Sequence, residues 1–442
     1  MKTKTLTGTF AIVICGGRLQ AQTRDAEFVP FERFLEHTRT VSSIMSIRPD
    51  ARVRNSSAFE QMRQHIVNLY RDVHVTHSFV MNLDHFDCIP MQQQPAARLL
   101  GPKGGASVPP LSRAGNRPIE VPAEGPTTRL SQETAVETKD AFGNSLHCEA
   151  GTIPMRRITL DEMTRFPSLR DFFDKGPNKS GQAPQADSQN SAAAEQFSDH
   201  KYAYMEQTVN NIGGNSNLNI WSPYVNTDLG EVFSLSQEWY TAGSGASRQT
   251  AEVGWQNFPG KYGDERSRLF IYYTANNYQG QNCYNMECAA FYQVSNNWVF
   301  GGSFPKYSSV GGPQYDVSAS FYLYNGDWWL SINGEWVGYY PGALYNGGPL
   351  AQHADKIQFG TESYGTEGVW PAEGSGDWGN ANWMKSAYQN NLFYYDTDGT
   401  AYWDTLTPNN PSPKCYSTFG PFTDSTSGSV YFYAGGPGGS GC

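Results

Sequence analysis

The chain has 442 residues, long enough for two or three domains, and its 32 basic and 42 acidic residues leave a net charge of −10. That balance argues against nucleic acid as the main partner, since phosphate binding wants a basic surface. No apolar run approaches the ~18–20 residues of a membrane span, and 45 Gly, 14% aromatics and only 17% charged residues suit β-structure better than helix.

In chain order, Met1–Lys4 is basic and Leu6–Gly17 apolar, which predicts a signal peptide over 1–21 and a soluble, secreted or extracellular product (periplasmic in transit). Phe28–Ile47 and Ala58–Leu83 have helical patterns; in the second, Phe59, Met62, Ile66, Leu69 and Val73 recur at spacings of three and four. Pro90–Glu137 is rich in Pro, Gly and small polar residues and reads as irregular, and Leu160–Phe166 as a short helix. From Lys175 to about Ser198 the chain has almost no apolar bulk, the composition of a flexible, protease-accessible linker.

Beyond the linker the pattern becomes β. Tyr315–Tyr340 alternates around Asn325-Gly326 and Asn333-Gly334, predicting a three-stranded meander. Further strands are expected at Glu231–Trp239, Arg268–Thr274, Ala289–Val294, Trp298–Ser303, Leu392–Asp396 and Ser429–Ala434. The fold class is therefore mainly β, an antiparallel sandwich preceded by a smaller, partly helical unit. All 11 Trp fall from residue 200 onward, but only two of the 8 His do. The division expected is a pro-domain over 22–174, a linker with its processing site over 175–200, and a catalytic sandwich over 201–442.

Outside the leader the cysteines are Cys88, Cys148, Cys283, Cys288, Cys415 and Cys442. An even number in a secreted chain favours disulfides. Spacing suggests local pairs, Cys88–Cys148, Cys283–Cys288 and Cys415–Cys442, among the 15 pairings six cysteines allow. A zinc site at Cys283-x4-Cys288 competes, but no His-x3–5-His partner follows.

The sandwich half has no His-Glu-x-x-His, Gly-x-Ser-x-Gly or phosphate-cradling loop, which leaves carboxylate chemistry. In Thr250–Gln256, Ala251, Val253 and Trp255 point one way on a strand and Glu252, Gly254 and Gln256 the other. Ile357–Glu362 answers with Gln358, Gly360 and Glu362 on one face. Glu-x-Gly-x-Gln on one strand and Gln-x-Gly-x-Glu on another would set two carboxylates over a floor cleared by glycines. Glu252 and Glu362 are the catalytic candidates. Gly254, Gln256, Gln358, Gly360 and Tyr364, on the same faces, are candidates for holding substrate. Facing carboxylates share a proton in mild acid, so one can take a proton from water while the other protonates a leaving amine.

These residues, with Phe86-Asp87-Cys88-Ile89, Cys148–Arg157, Tyr262-Gly263-Asp264, Cys283–Cys288, Gln314-Tyr315-Asp316 and Tyr431–Gly438, resemble the neprosin family of secreted glutamic peptidases, made as zymogens with an amino-terminal activation domain. The resemblance implies peptide hydrolysis at acidic pH by a glutamate pair falling on Glu252 and Glu362. It also implies no metal or other cofactor, a preference for cleavage after proline, and inhibition by the chain's own pro-domain. It supports the pairs Cys283–Cys288 and Cys415–Cys442. Where the family shows Gly-Gly-Glu this chain has Gly360-Thr361-Glu362, with Thr361 expected to point away from the cleft. The alternatives are a glycoside hydrolase using the same carboxylates and a non-catalytic carbohydrate- or protein-binding sandwich.

Overall fold

Pro30, with its fixed φ, precedes the first helix, α1 (Phe31–Thr40). Asn55 caps the second, α2 (Ser56–Leu69), by accepting from Ala58 N at 2.9 Å. The computed structural model describes residues 27–42, 44, 47, 50–100, 108–109, 127–130, 138–175 and 199–442. The expected signal peptide and most of the expected linker lie outside the described residues. Among the described residues no helix is long and apolar enough to cross a membrane.

Both helices are shorter than the periodicity predicts. Phe59, Met62, Ile66 and Leu69 are buried along α2, but the helical pattern through Leu83 is broken at Asp72, which takes a left-handed φ of 60°. His77–Met81 and Asp84–Pro90 then form a hairpin around Asn82 and Leu83, both at positive φ. Thr152–Arg156 completes this three-stranded sheet, and the Cys88–Cys148 disulfide braces it. Within the expected irregular stretch, Ala97–Leu100 is a short helix and Thr127–Arg129 a strand.

The rest is a sandwich of two sheets. The front sheet has seven strands: β1 (His200–Asn211), β2 (Glu231–Ala242), β3 (Gln249–Asn257), β4 (Arg268–Thr274), β5 (Asn282–Tyr284), β6 (Ala354–Gly365) and β7 (Thr407–Asn409). They lie in the order β5-β4-β3-β2-β6-β1-β7, every neighbouring pair antiparallel. The back sheet of ten is built around Gly213–Asn219, Gln314–Tyr324 and the predicted meander. Ala251, Val253, Trp255, Ile357 and Phe359 face into the sandwich and are fully buried. Trp255 Nε1 donates to Asn219 O of the back sheet at 2.8 Å, and Tyr240 packs on Phe321 and Trp328. The fold class is the one expected.

Two predicted strands differ. Ala289–Val294 contracts to Tyr292–Gln293, and Trp298–Ser303 runs through turns with Gly301 at φ 79°. The cause is Gln293, whose side-chain amide donates to Ser295 O (2.9 Å) and Trp298 O (2.6 Å) and folds the segment back on itself. The disulfides Cys283–Cys288 and Cys415–Cys442 are formed, the first using the two thiols a zinc site would need.

The front part of the chain is docked on the sandwich by buried polar contacts. Asp84 is held between Arg156 (2.9 Å) and Arg268 of β4. The Gln94 side chain pairs with the Gln293 backbone at 2.9 and 2.7 Å. Thr127–Arg129 adds a parallel strand to Gln314–Tyr324, with Arg129 on Asp316 at 2.8 Å.

Candidate active site

The register of three strands builds the site. On β2, Trp239 lies opposite Glu252 of β3 on one side and Gln358 of β6 on the other; Gln237 lies between Gly254 and Gly360; Leu235 lies between Gln256 and Glu362. The mirrored motifs thus run side by side, and the two glutamates sit diagonally across Gln237. The floor is not open space. A Cβ on Gly254 would lie 2.0 Å from Ser236 O and 2.8 Å from Gln237 Cβ, and one on Gly360 would lie 2.5 Å from both Ala203 O and Tyr204 Cβ. The glycines admit the neighbouring strands rather than leave room for a second chain.

Between the glutamates sits Lys175. Its Nζ donates to Glu252 Oε2 (2.6 Å), Glu362 Oε2 (2.9 Å) and Gln237 Oε1 (2.9 Å), which uses all three ammonium protons. Lys175 is buried, so it does not belong to an accessible linker. The reason is local. Ser168 caps the short helix Leu169–Phe173, Asp174 turns extended, and the segment is tied to the sheet by Tyr272 OH donating to Phe173 O (3.0 Å) and Asn282 Nδ2 to Asp174 Oδ1 (2.9 Å).

Each glutamate has its own second set of partners. Glu252 Oε1 accepts from Thr250 Oγ1 at 2.7 Å and Tyr278 OH at 2.9 Å. Tyr278 reaches it from a left-handed backbone, φ 59°, which Thr274 Oγ1 holds by accepting from Tyr278 N at 2.7 Å. Glu362 Oε1 accepts from His200 Nδ1 at 2.7 Å. Burial alone would raise the Glu362 carboxyl, but the Lys175 ammonium and the His200 contact bring it down to about 2. Burial likewise works against the Lys175 charge, and the two glutamates reverse this and raise it.

Of the other candidates, Gln256 is fully buried and donates to Tyr284 OH at 3.1 Å. Gln358 donates to Glu206 Oε2 at 3.0 Å, one row from the pair's centre. Tyr364 stacks edge-on against His200, ring centroids 4.4 Å apart. Thr361 points away from the glutamates, its hydroxyl within hydrogen-bond distance of Glu373 Oε2 (2.5 Å) and Ala203 O (3.1 Å). Lys175, His200, Gln237, Thr250 and Tyr278 were not singled out from sequence as members of the site. Gln237 lies within the predicted strand Glu231–Trp239, but its place between Gly254 and Gly360 comes from pairing across strands.

The fold and this geometry define a class, a β-sandwich with a buried carboxylate pair on one sheet. Residues 230–437 match the family model described as Neprosin. The matched stretch contains the Glu252 and Glu362 motifs that resemble that family. Among solved structures it is similar to scytalido-glutamic peptidase bound to a peptide-based transition-state analog, at TM-score 0.29 and 8% identity, covering 53% of this chain and 98% of that one. A second structure of that peptidase, with a transition-state analog inhibitor, gives TM-score 0.29 and 9% identity over the same shares. CG-16, a homodimeric agglutinin from chicken liver, gives TM-score 0.19 and 8% identity, covering 37% and 92%.

Proposed function

We propose that the protein is the secreted zymogen of a glutamic endopeptidase that cleaves peptides, by preference after proline, in acid. The match to the Neprosin family model supports a peptidase. The observation that carries the finer reading is Lys175 Nζ at 2.6 and 2.9 Å from the two carboxylates. A group of that size, bonded to both Oε2 atoms, stands where an attacking water would be held. One carboxylate takes a proton from that water as its oxygen bonds to the scissile carbonyl carbon; the other protonates the amine as the C–N bond breaks. Residues 22–174 together with Lys175 act as the intramolecular inhibitor, and cleavage within 176–198 frees the sandwich.

The test is mass spectrometry of a proline-containing peptide incubated in mild acid with linker-cut protein. Wild type should cut after proline, and Glu252→Gln or Glu362→Gln should each lose at least about 100-fold in rate, the low end for general acid–base groups. Full activity in either variant would refute the pair. Hydrolysis of a glycoside but no peptide would move the assignment to sugars.

A further inference from the structure

Among the described residues, two titratable groups of the sandwich touch the pair besides the glutamates themselves: the Tyr278 hydroxyl on Glu252 and the His200 imidazole on Glu362. We propose that His200 is a positioning residue that assigns the two roles: as an imidazolium it holds Glu362 as the carboxylate that deprotonates water, leaving Glu252 to protonate the departing amine. This rests on the peptidase reading above.

The argument is one of asymmetry. Lys175 contacts one Oε2 on each glutamate, so its withdrawal takes a cation from both. What remains differs. Glu362 keeps the His200 ring nitrogen at 2.7 Å and the Gln237 amide at 3.4 Å, while Glu252 keeps two hydroxyls, Thr250 and Tyr278, the second of which also feels the Arg248 charge. Two carboxylates facing one water share a proton, and it goes to the member whose carboxylate is less stabilised by a directly bonded cation. A hydrogen bond from a charged donor to a carboxylate is about twice as strong as a neutral one.

The surroundings hold the ring in place. Tyr364 lies 4.4 Å from it edge-on, Phe233 5.9 Å away and Tyr202 6.3 Å away in a stack. Tyr364 OH bonds Asp199 Oδ2 at 3.4 Å, and Lys201, next in the chain, turns to the Trp370 ring at 4.7 Å. Burial above all pushes the Glu373 carboxyl well up; hydrogen bonds from Thr361 and Ser363 work against this and the Glu362 charge adds to it.

In this scheme the water oxygen bonds to the carbonyl carbon and its proton goes to Glu362. Collapse of the tetrahedral intermediate breaks the C–N bond, and the amine leaves with the proton from Glu252. The extra proton on Glu362 returns to Glu252 through the next water, which restores the pair.

The test is kcat/KM for one proline-containing peptide from about pH 2 to about pH 7, using linker-cut wild type, His200→Asn and His200→Ala, each curve normalised to its own maximum. Asn keeps an N–H donor near the Nδ1 position but no charge. The acid limb should move up by about one pH unit or more in both variants, the size of an opposite charge removed from a carboxylate. The Asn variant should recover rate at the optimum relative to Ala. An unmoved limb, with rate lost equally at every pH, would overturn the assignment and leave His200 structural. Should neither variant fold, ring-nitrogen NMR of linker-cut wild type decides: His200 signals must respond to titration of the glutamate pair, and signals blind to it overturn the proposal. Wild type that cleaves no peptide would refute the peptidase reading itself, a separate and recognisable result.

Discussion

The Glu362 carboxyl sits at about 2 in the closed chain against an ordinary 4.5, so its ion pair with Lys175 contributes fully above 4.5 and is lost as pH falls through about 2. Lys175, shifted upward, stays charged throughout that window. Two histidines of the front part behave differently. Burial lowers both His65 and His85; Arg157 lowers His85 further, and its Nε2 accepts from Val29 N at 3.0 Å. A base with a depressed value in the folded state stabilises it above its ordinary value of 6.5, and that contribution fades as pH falls below. Acid should therefore act in two stages, loosening the front part first and releasing Lys175 last. Hydrogen exchange of the uncut chain, corrected for the intrinsic pH effect, should show residues 27–30 opening below about pH 6 while 172–175 stay protected until pH approaches 2. Release of both segments together near pH 5 would contradict this order.

Strand register explains why two short motifs in distant parts of the sequence become one site. β3 and β6 both pair antiparallel with β2, so Glu-x-Gly-x-Gln and Gln-x-Gly-x-Glu run parallel to each other with β2 between them. A one-residue slip on either side would send a glutamate into the sandwich. Gly254 guards that register, since a Cβ there meets the Ser236 carbonyl of β2. Gly254→Ala should cost about 1–3 kcal/mol or more, as overpacking in a dense interior does, and should lose peptidase activity with it. Urea unfolding of the linker-cut protein measures the first; an unchanged midpoint would mean that the strands part without strain. Alternation made Thr250–Gln256 and Ile357–Glu362 legible as strands with a polar face. The same rule missed Gly213–Asn219, where Gly-Gly-Asn-Ser-Asn-Leu-Asn has one apolar residue. That strand is held by side-chain amides, such as Asn217 Nδ2 on Asn390 Oδ1 at 2.8 Å and Asn215 Nδ2 on Asn391 O at 2.9 Å. Hydrophobic pattern carries no trace of such a ladder.

Across the molecule, composition separated a helical front part from a β-rich remainder, but not the point where the first ends. Lys175 begins a stretch poor in apolar residues and looked like linker, whereas a residue is placed by what it bonds, and its three acceptors come from strands 62 to 187 positions away. Long-range partners of that kind leave no local signature. The same holds for Asp84, whose two arginines lie 72 and 184 positions on. On the proposed function, the docked front part and the glutamate pair form one device, in which chemistry and its inhibition meet at a single ammonium group. The most direct test is cleavage of a proline-containing peptide in mild acid by uncut chain carrying Lys175→Met, compared with uncut wild type and with Lys175→Met combined with Glu252→Gln. The account predicts turnover by the single variant, none by the double variant, and none by wild type until its linker is cut. Turnover that survives Glu252→Gln, or a Lys175→Met chain that stays inert until the linker is cut, would contradict it.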